Sequence, residues 1–304
     1  MSAASFLVQT ARATVPYLGA ALGGVWCERS GIATIALEGA LLASALGTVV
    51  VTHTTGSPAA GLAAGIAVGA STLLLHALLV SRFAVNAIVS GVAVNLAAFG
   101  GTRFVLRALY ASSSNSPAIP SFRHVGEAGS GLSPLAEALL DPLLWTTTLA
   151  VALSAVVLRR TAFGLRVRAA GENPGAARAL GIDVTRVRLA ACALGGAIVA
   201  LGGASLAFDQ HGFESGMSGG RGFMALAAVI LGGWRPVPVA AVCVVFAALD
   251  AAEIALESTS ALPHSLVQCL PYLVTLLALA TVVRSRAGAP PAALSSGSGQ
   301  RDAR

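Results

Sequence analysis

The chain has 304 residues, of which 56% are hydrophobic and 11% charged, and its mean hydropathy is +0.80. These figures exclude a disordered chain and argue against a soluble one: at roughly 20 apolar residues per span of about 30 Å, they predict eight or nine membrane helices. The formal charge of +6 rests on 19 Arg and no Lys, which excludes a phosphate-loop lysine, a Schiff-base lysine and a kinase-type lysine.

The sequence predicts an all-α polytopic membrane protein, with a transmembrane domain over residues 1–286 and a disordered Pro-, Ser- and Gly-rich tail over 287–304. No removable signal peptide is expected, because a basic n-region and cleavage site are missing. Residues 13–27 form a first apolar segment containing Pro16, closed by a polar joint at Glu28, Arg29 and Ser30. A second span, 32–51, carries one charge, Glu38. An ionisable group at mid-membrane costs roughly 2.5 to 3.5 kcal/mol on insertion scales, so Glu38 needs a partner or water. Lining of a solute pathway and a helix-packing hydrogen bond both meet that need.

A turn over 52–58 leads to a third span, 59–80, ended by Arg82. The fourth, 84–106, stacks Asn86, Ser90 and, nearly, Asn95 on one face, which should look at protein or water rather than lipid. Glu38, Asn86, Ser90 and Asn95 are therefore the candidate pathway residues. A polar loop over 107–141 precedes a fifth span, 142–158. After a basic segment come a Gly- and Ala-rich span at 189–208 and a polar connector at 209–222. The apolar run 223–233 is too short to cross alone, and full-length spans follow at 239–256 and 266–283.

Seven of the Arg fall between 159 and 188. The positive-inside rule makes that segment cytoplasmic and 107–142 external, which puts the N-terminus outside and the C-terminus inside if nine segments cross. A membrane-side loop accounts for the basic pI of about 9.9 better than a nucleic-acid face does. The order of features in 31–106 recurs in 221–284 with opposite direction, as in the inverted repeats of transporters. The four Cys and five His are dispersed without ligand spacing, so no disulfide or metal site is expected. No paired carboxylates or His-Glu-x-x-His pattern supports an intramembrane enzyme. A proton-coupled secondary transporter using Glu38 stays open as a rival.

Within the basic segment, GENPGAARALGID carries helix punctuation. Asn173 can cap, Pro174 suits the first helical position, residues 175–180 supply about two turns, and Gly181 can end them in a left-handed conformation. With Ala176, Ala177, Leu180 and Ile182 as apolar contacts and Arg178 among them, such a helix is shaped for a groove on a partner protein.

This run resembles the cytoplasmic segment of ABC importer permeases of the ribose and branched-chain amino acid superfamily. ERSGIATIALEGALLASA at 28–45 is similar to the N-terminal signature of its nucleoside (simple sugar) type. NAIVSGVAVNLAAFG at 86–100, GGRGFMALAAVILGG at 219–233 and LPYLVTLLALA at 270–280 extend the likeness over most of the chain. The resemblance implies a type II-like ABC importer permease in the inner membrane of a bacterium. Its partners would be a second permease subunit (hetero- or homodimer), cytoplasmic ATPase subunits and an external solute-binding protein. ATP would be bound by those partner subunits, with no cofactor in this chain. Gly171, Glu172, Asn173, Pro174, Ala177, Arg178 and Gly181 would form the ATPase-coupling segment. Where nucleoside-type members show Asn-Ile-Gly, this chain has Thr34, Ile35 and Ala36, a departure that bears on substrate preference, with simple sugars the alternative.

Overall fold

The computed structural model describes residues 3–122, 138, 140–257 and 290–295. The named elements are helices: α1 (Ala3–Arg29), α2 (Leu37–Thr55), α3 (Pro58–Arg82), α4 (Ala87–Tyr110), α5 (Pro142–Arg160), α6 (Ala162–Glu172), α7 (Pro174–Ala179), α8 (Val184–Asp209), α9 (Arg221–Leu231), α10 (Pro236–Glu257) and a single turn, α11 (Ala292–Ser295). Six of them, α2, α3, α4, α5, α8 and α10, are long and apolar enough to cross a membrane. The expected span 266–283 lies outside the described residues, as does most of the 287–304 tail. Within that tail α11 packs against α6.

Local punctuation sets most helix starts. Ser57, Asp141 and Asp183 accept hydrogen bonds from the first free amides of α3, α5 and α8, with Pro58 and Pro142 in the first turns of α3 and α5. Thr161 does the same for α6, so part of the basic loop expected from sequence is helical.

The centre of the bundle is α1, buried from Thr14 to Glu28 and packed on α5, α8, α9 and α10. Lipid tails are as apolar as a leucine side chain, so helices here associate by close packing rather than by hydrophobic expulsion from water. Small residues permit that approach. A Cβ on Gly23 would stand 2.5 Å from the Gly195 carbonyl oxygen, and one on Gly195 would stand 2.7 Å from that of Gly23. Gly195→Val should therefore force α1 and α8 apart at a cost of about 1–3 kcal/mol, seen as a lower unfolding temperature in detergent. Gly100→Ala, with open space around it among the described residues, should not lower the temperature and serves as the control.

The two ends of the bundle are distinct. At one, Arg29 Nε donates to the Trp234 carbonyl at 2.8 Å, its Nη1 lies 3.8 Å from Glu172, and Arg188 Nε donates to the Ser30 carbonyl at 3.1 Å. At the other, the connectors after α4 and α8 pair. Ser116 N–H donates to the Phe213 carbonyl and Ile119 N–H to that of His211, both at 2.9 Å, beside an antiparallel bridge between Asn115 and Glu214.

Candidate functional site

The second span is not one continuous helix. After α1 the chain runs unwound through residues 30–36, and α2 begins only at Leu37, so Glu38 sits in a first turn rather than mid-helix. An unwound segment inside a membrane protein leaves carbonyls that must find partners within the protein. They do so through side chains from three other helices. His76 Nε2 donates to the Ala33 carbonyl at 3.1 Å, Asn95 Nδ2 donates to that of Ile35 at 3.1 Å, and Arg188 holds that of Ser30. With the His76 proton on Nε2, its Nδ1 accepts from the Ser90 hydroxyl at 3.0 Å.

The second break lies before α9. Its eleven residues rise only about 16 Å, half of the hydrocarbon thickness. Its cap position is Gly220 at φ 80°, which brings no capping side chain of its own. Glu38 supplies the cap from across the bundle, accepting from Gly220 N–H at 2.9 Å and Gly222 N–H at 2.7 Å. The two backbones touch there: a Cβ on Gly222 would lie 2.5 Å from Glu38 Cα. At the far end of α9, Trp234 Nε1 donates to Glu28 and the Trp234 carbonyl accepts from Arg29. Glu28 and Glu38 thus bracket the unwound segment and hold the two ends of α9.

From this junction α9 runs to the end where Arg29 and Glu172 meet, while α2 runs away from it, its His53 ring 5.3 Å from that of Tyr110 at the end of α4. The 19-residue α2 and the eleven-residue α9 therefore run in opposite directions from one junction, N-terminus to N-terminus.

Three of the four pathway candidates gather here. Glu38, Ser90 and Asn95 are buried, and Asn95 also accepts from Gly39 N–H at 2.8 Å. Asn86 is exposed at the start of α4, where its side chain caps the helix by accepting from Ile88 and Val89. His76, Arg188, Glu28 and Trp234 belong to the same junction and carry no signal of it in sequence spacing. Asp250, a second acidic residue in an apolar run, accepts from the Tyr17 hydroxyl at 2.9 Å and lies 3.5 Å from Arg221.

The coupling candidates form a compact ledge. Asn173 Oδ1 accepts from Ala176 N–H at 2.9 Å, Pro174 opens α7, and Gly181 at φ 78° ends it in a conformation that a Cβ would strain. Gly171 packs against the end of α1, where a Cβ would meet the Arg29 carbonyl oxygen at 2.2 Å, and Glu172 is exposed beside Arg29. Pro174 and Ala177 are buried and anchor α7. Ala177, counted from sequence among the outward contacts, therefore faces the permease. A helix of six residues needs one side against its own protein. The outward face is Gly175, Ala176, Arg178, Ala179 and Leu180, the last 82% exposed.

Comparison with known proteins identifies the family. The family described as branched-chain amino acid transport system, permease component, matches residues 6–279. The chain is 33% identical over 294 residues to the guanosine ABC transporter permease protein NupQ of Bacillus subtilis, covering 91% of each. It is 31% identical to the nucleoside ABC transporter permease protein NupC of Lactococcus lactis, covering 88% of each. It is 34% identical to a putative glucose ABC transporter permease protein of Haloferax volcanii, covering 85% of this chain and 79% of that one. No solved structure matches. With its apolar helices, its two breaks and the match along nearly its whole length, the chain is a multi-pass membrane protein that belongs to the permease-component family of branched-chain amino acid transport systems, among the ABC transporter permeases.

Proposed function

We propose that the chain is the transmembrane subunit of an ATP-driven importer for nucleosides or related small polar solutes, working by alternating access in the inner membrane of a bacterium. ABC transporter permeases in general work with ATPase subunits and a solute-binding protein. In this reading α7 docks on cytoplasmic ATPase subunits, which alone bind ATP, and a second permease subunit completes the pathway. The 159–188 segment and the C-terminus face the cytoplasm. Transport is driven because the outward and inward states bind solute differently, and the motor's cycle changes which state prevails.

The observation that carries the coupling half of this reading is the ledge itself, a capped helix with Leu180 left 82% exposed on the arginine-rich end. Leu180 and Arg178 stand together on the outward side of a short helix whose other side is anchored, the form of a helix that lies in a partner's groove. Glu38, Ser90 and Asn95 hold the broken segments that border the pathway, and Asn86 sets the start of α4. The carboxylate of Glu38 already accepts two backbone hydrogen bonds, which speaks for a fixed junction and against a proton-carrying role.

The nucleoside assignment draws its support from the guanosine and nucleoside relatives. The glucose relative supports a sugar as the second reading. Uptake of radiolabelled guanosine into cells lacking their own nucleoside importers, with this permease and its partners expressed, decides between them. The expected result is accumulation suppressed by unlabelled nucleosides and unaffected by excess glucose. Accumulation of glucose without guanosine would overturn the substrate assignment.

A further inference from the structure

At the end of the bundle opposite the arginine-rich segment lies a cavity of about 240 Å³ whose wall is largely polar. Gln9 and Arg12 of α1, Asp209 and Gln210 at the end of α8, and Arg221 in the first turn of α9 face it, with Pro16 as an apolar side. The residues come from three helices and none is close in sequence to the coupling ledge.

The donors in this wall are incompletely used. Among the described residues the Nε atoms of Arg12 and Arg221 are buried without a hydrogen-bond partner. The remaining contacts of Arg221 are long: 3.3 Å to the Met217 carbonyl and 3.5 Å to Asp250, with the guanidinium 5.9 Å from the centre of the Tyr17 ring. Native proteins leave few buried polar atoms unsatisfied, and two in one small cavity indicate that acceptors are missing. Charge then narrows the ligand. Arg12 and Arg221 are matched by Asp209 in the wall and Asp250 behind it, so the surroundings are near neutral and give an anion no net attraction. Gln9 and Gln210 add amides that donate and accept in one plane.

We propose that this cavity is a solute subsite for a neutral planar ring bearing adjacent acceptors, the carbonyl and ring-nitrogen edge of an oxo-purine base, and that Arg12 and Gln210 read that edge. A guanidinium fork matches two neighbouring in-plane acceptors, whereas the hydroxyls of a sugar point in tetrahedral directions and match it poorly. Position gives the subsite a role in the cycle. Arg221 adjoins Gly220 and Gly222, whose amides hold Glu38, so a base seated on Arg221 loads the junction of the two broken helices. This inference rests on the nucleoside reading above and goes further in naming the residues and the part of the solute they select.

The test uses the assembled transporter in proteoliposomes, with its ATPases and binding protein, comparing guanosine with uridine, whose pyrimidine lacks the paired edge. Arg12→Gln and Gln210→Ala should each lower guanosine uptake about tenfold while changing uridine uptake less than twofold. Should Arg12→Gln fail to assemble, the exposed Gln210 position carries the same expectation. A second readout is the rate at which Gln210→Cys is labelled by a methanethiosulfonate reagent, expected to fall in the presence of guanosine and not of ribose. Nucleoside uptake with unchanged selectivity in the variants, or labelling indifferent to guanosine, would overturn the subsite and leave the importer reading standing. A transporter that moves no nucleoside at all would overturn both.

Discussion

Glu38→Ala should yield little or no stable permease, and Glu38→Gln an intermediate amount, in the order Glu above Gln above Ala. The carboxylate is 1% exposed and both its oxygens accept from backbone amides of α9. Hydrogen bonds to a charged group contribute about 1.5–3 kcal/mol each, and the positive end of a half-helix adds about 0.3–1 kcal/mol. Together these outweigh the roughly 2.5–3.5 kcal/mol that an acidic group costs at mid-membrane. Alanine leaves the buried Gly222 N–H and the half-buried Gly220 N–H without acceptors, at about 1–3 kcal/mol for the buried one. Glutamine keeps one acceptor and turns a donor toward the other amide. The measurement is the amount of monodisperse protein recovered in mild detergent together with its unfolding temperature. Equal recovery of the alanine variant would show that Glu38 does not hold the junction, and would reopen the possibility of a free carboxylate in the pathway.

Leu180→Asp should abolish solute uptake with membrane insertion and folding intact. None of the described residues buries Leu180, so its loss costs the isolated subunit little. Seated in a partner's groove, a leucine is worth about 1.5–3 kcal/mol, and replacing it by a charge forfeits at least that. The corresponding loss in ATPase affinity is about tenfold to more than a hundredfold, readable in a pull-down of the ATPase subunits. Arg178→Glu, on the same outward face, should likewise abolish uptake. Ala177→Leu behaves differently on this account: it is buried, so it should lower the stability of the permease itself. Normal ATPase capture by the Leu180 variant would place the docking surface elsewhere.

What the sequence made legible follows the range of the interactions involved. Helix starts at Pro58, Pro142 and Pro174 are written in the residue beside them, because a cap and its amides lie within three positions. The shortness of α9 was visible because its apolar run ends at a break too soon to cross. The unwinding of residues 30–36 was not, since its Ile and Ala residues read in a hydropathy window as the beginning of a span. The groups that stabilise it are side chains 43, 60 and 158 positions away. One local sign was available: a single acid near the start of an apolar run, shortly after a glycine, marks a helix N-terminus as well as a mid-membrane charge. His76 gave no sign, because a lone histidine in an apolar helix looks the same whether or not a distant carbonyl awaits it. In the coupling segment the caps and turns were foreseen and the buried side of α7 was not, since six residues carry too little periodicity to assign faces.

On the proposed reading this chain moves solute only when a separate motor drives it. The direct measurement is solute accumulation in proteoliposomes containing the permease and its binding protein, with and without the ATPase subunits, under ATP and under an imposed pH gradient. Accumulation against the concentration gradient is expected only when the ATPase and ATP are both present. Accumulation by the permease without the ATPase, driven by the pH gradient, would contradict it.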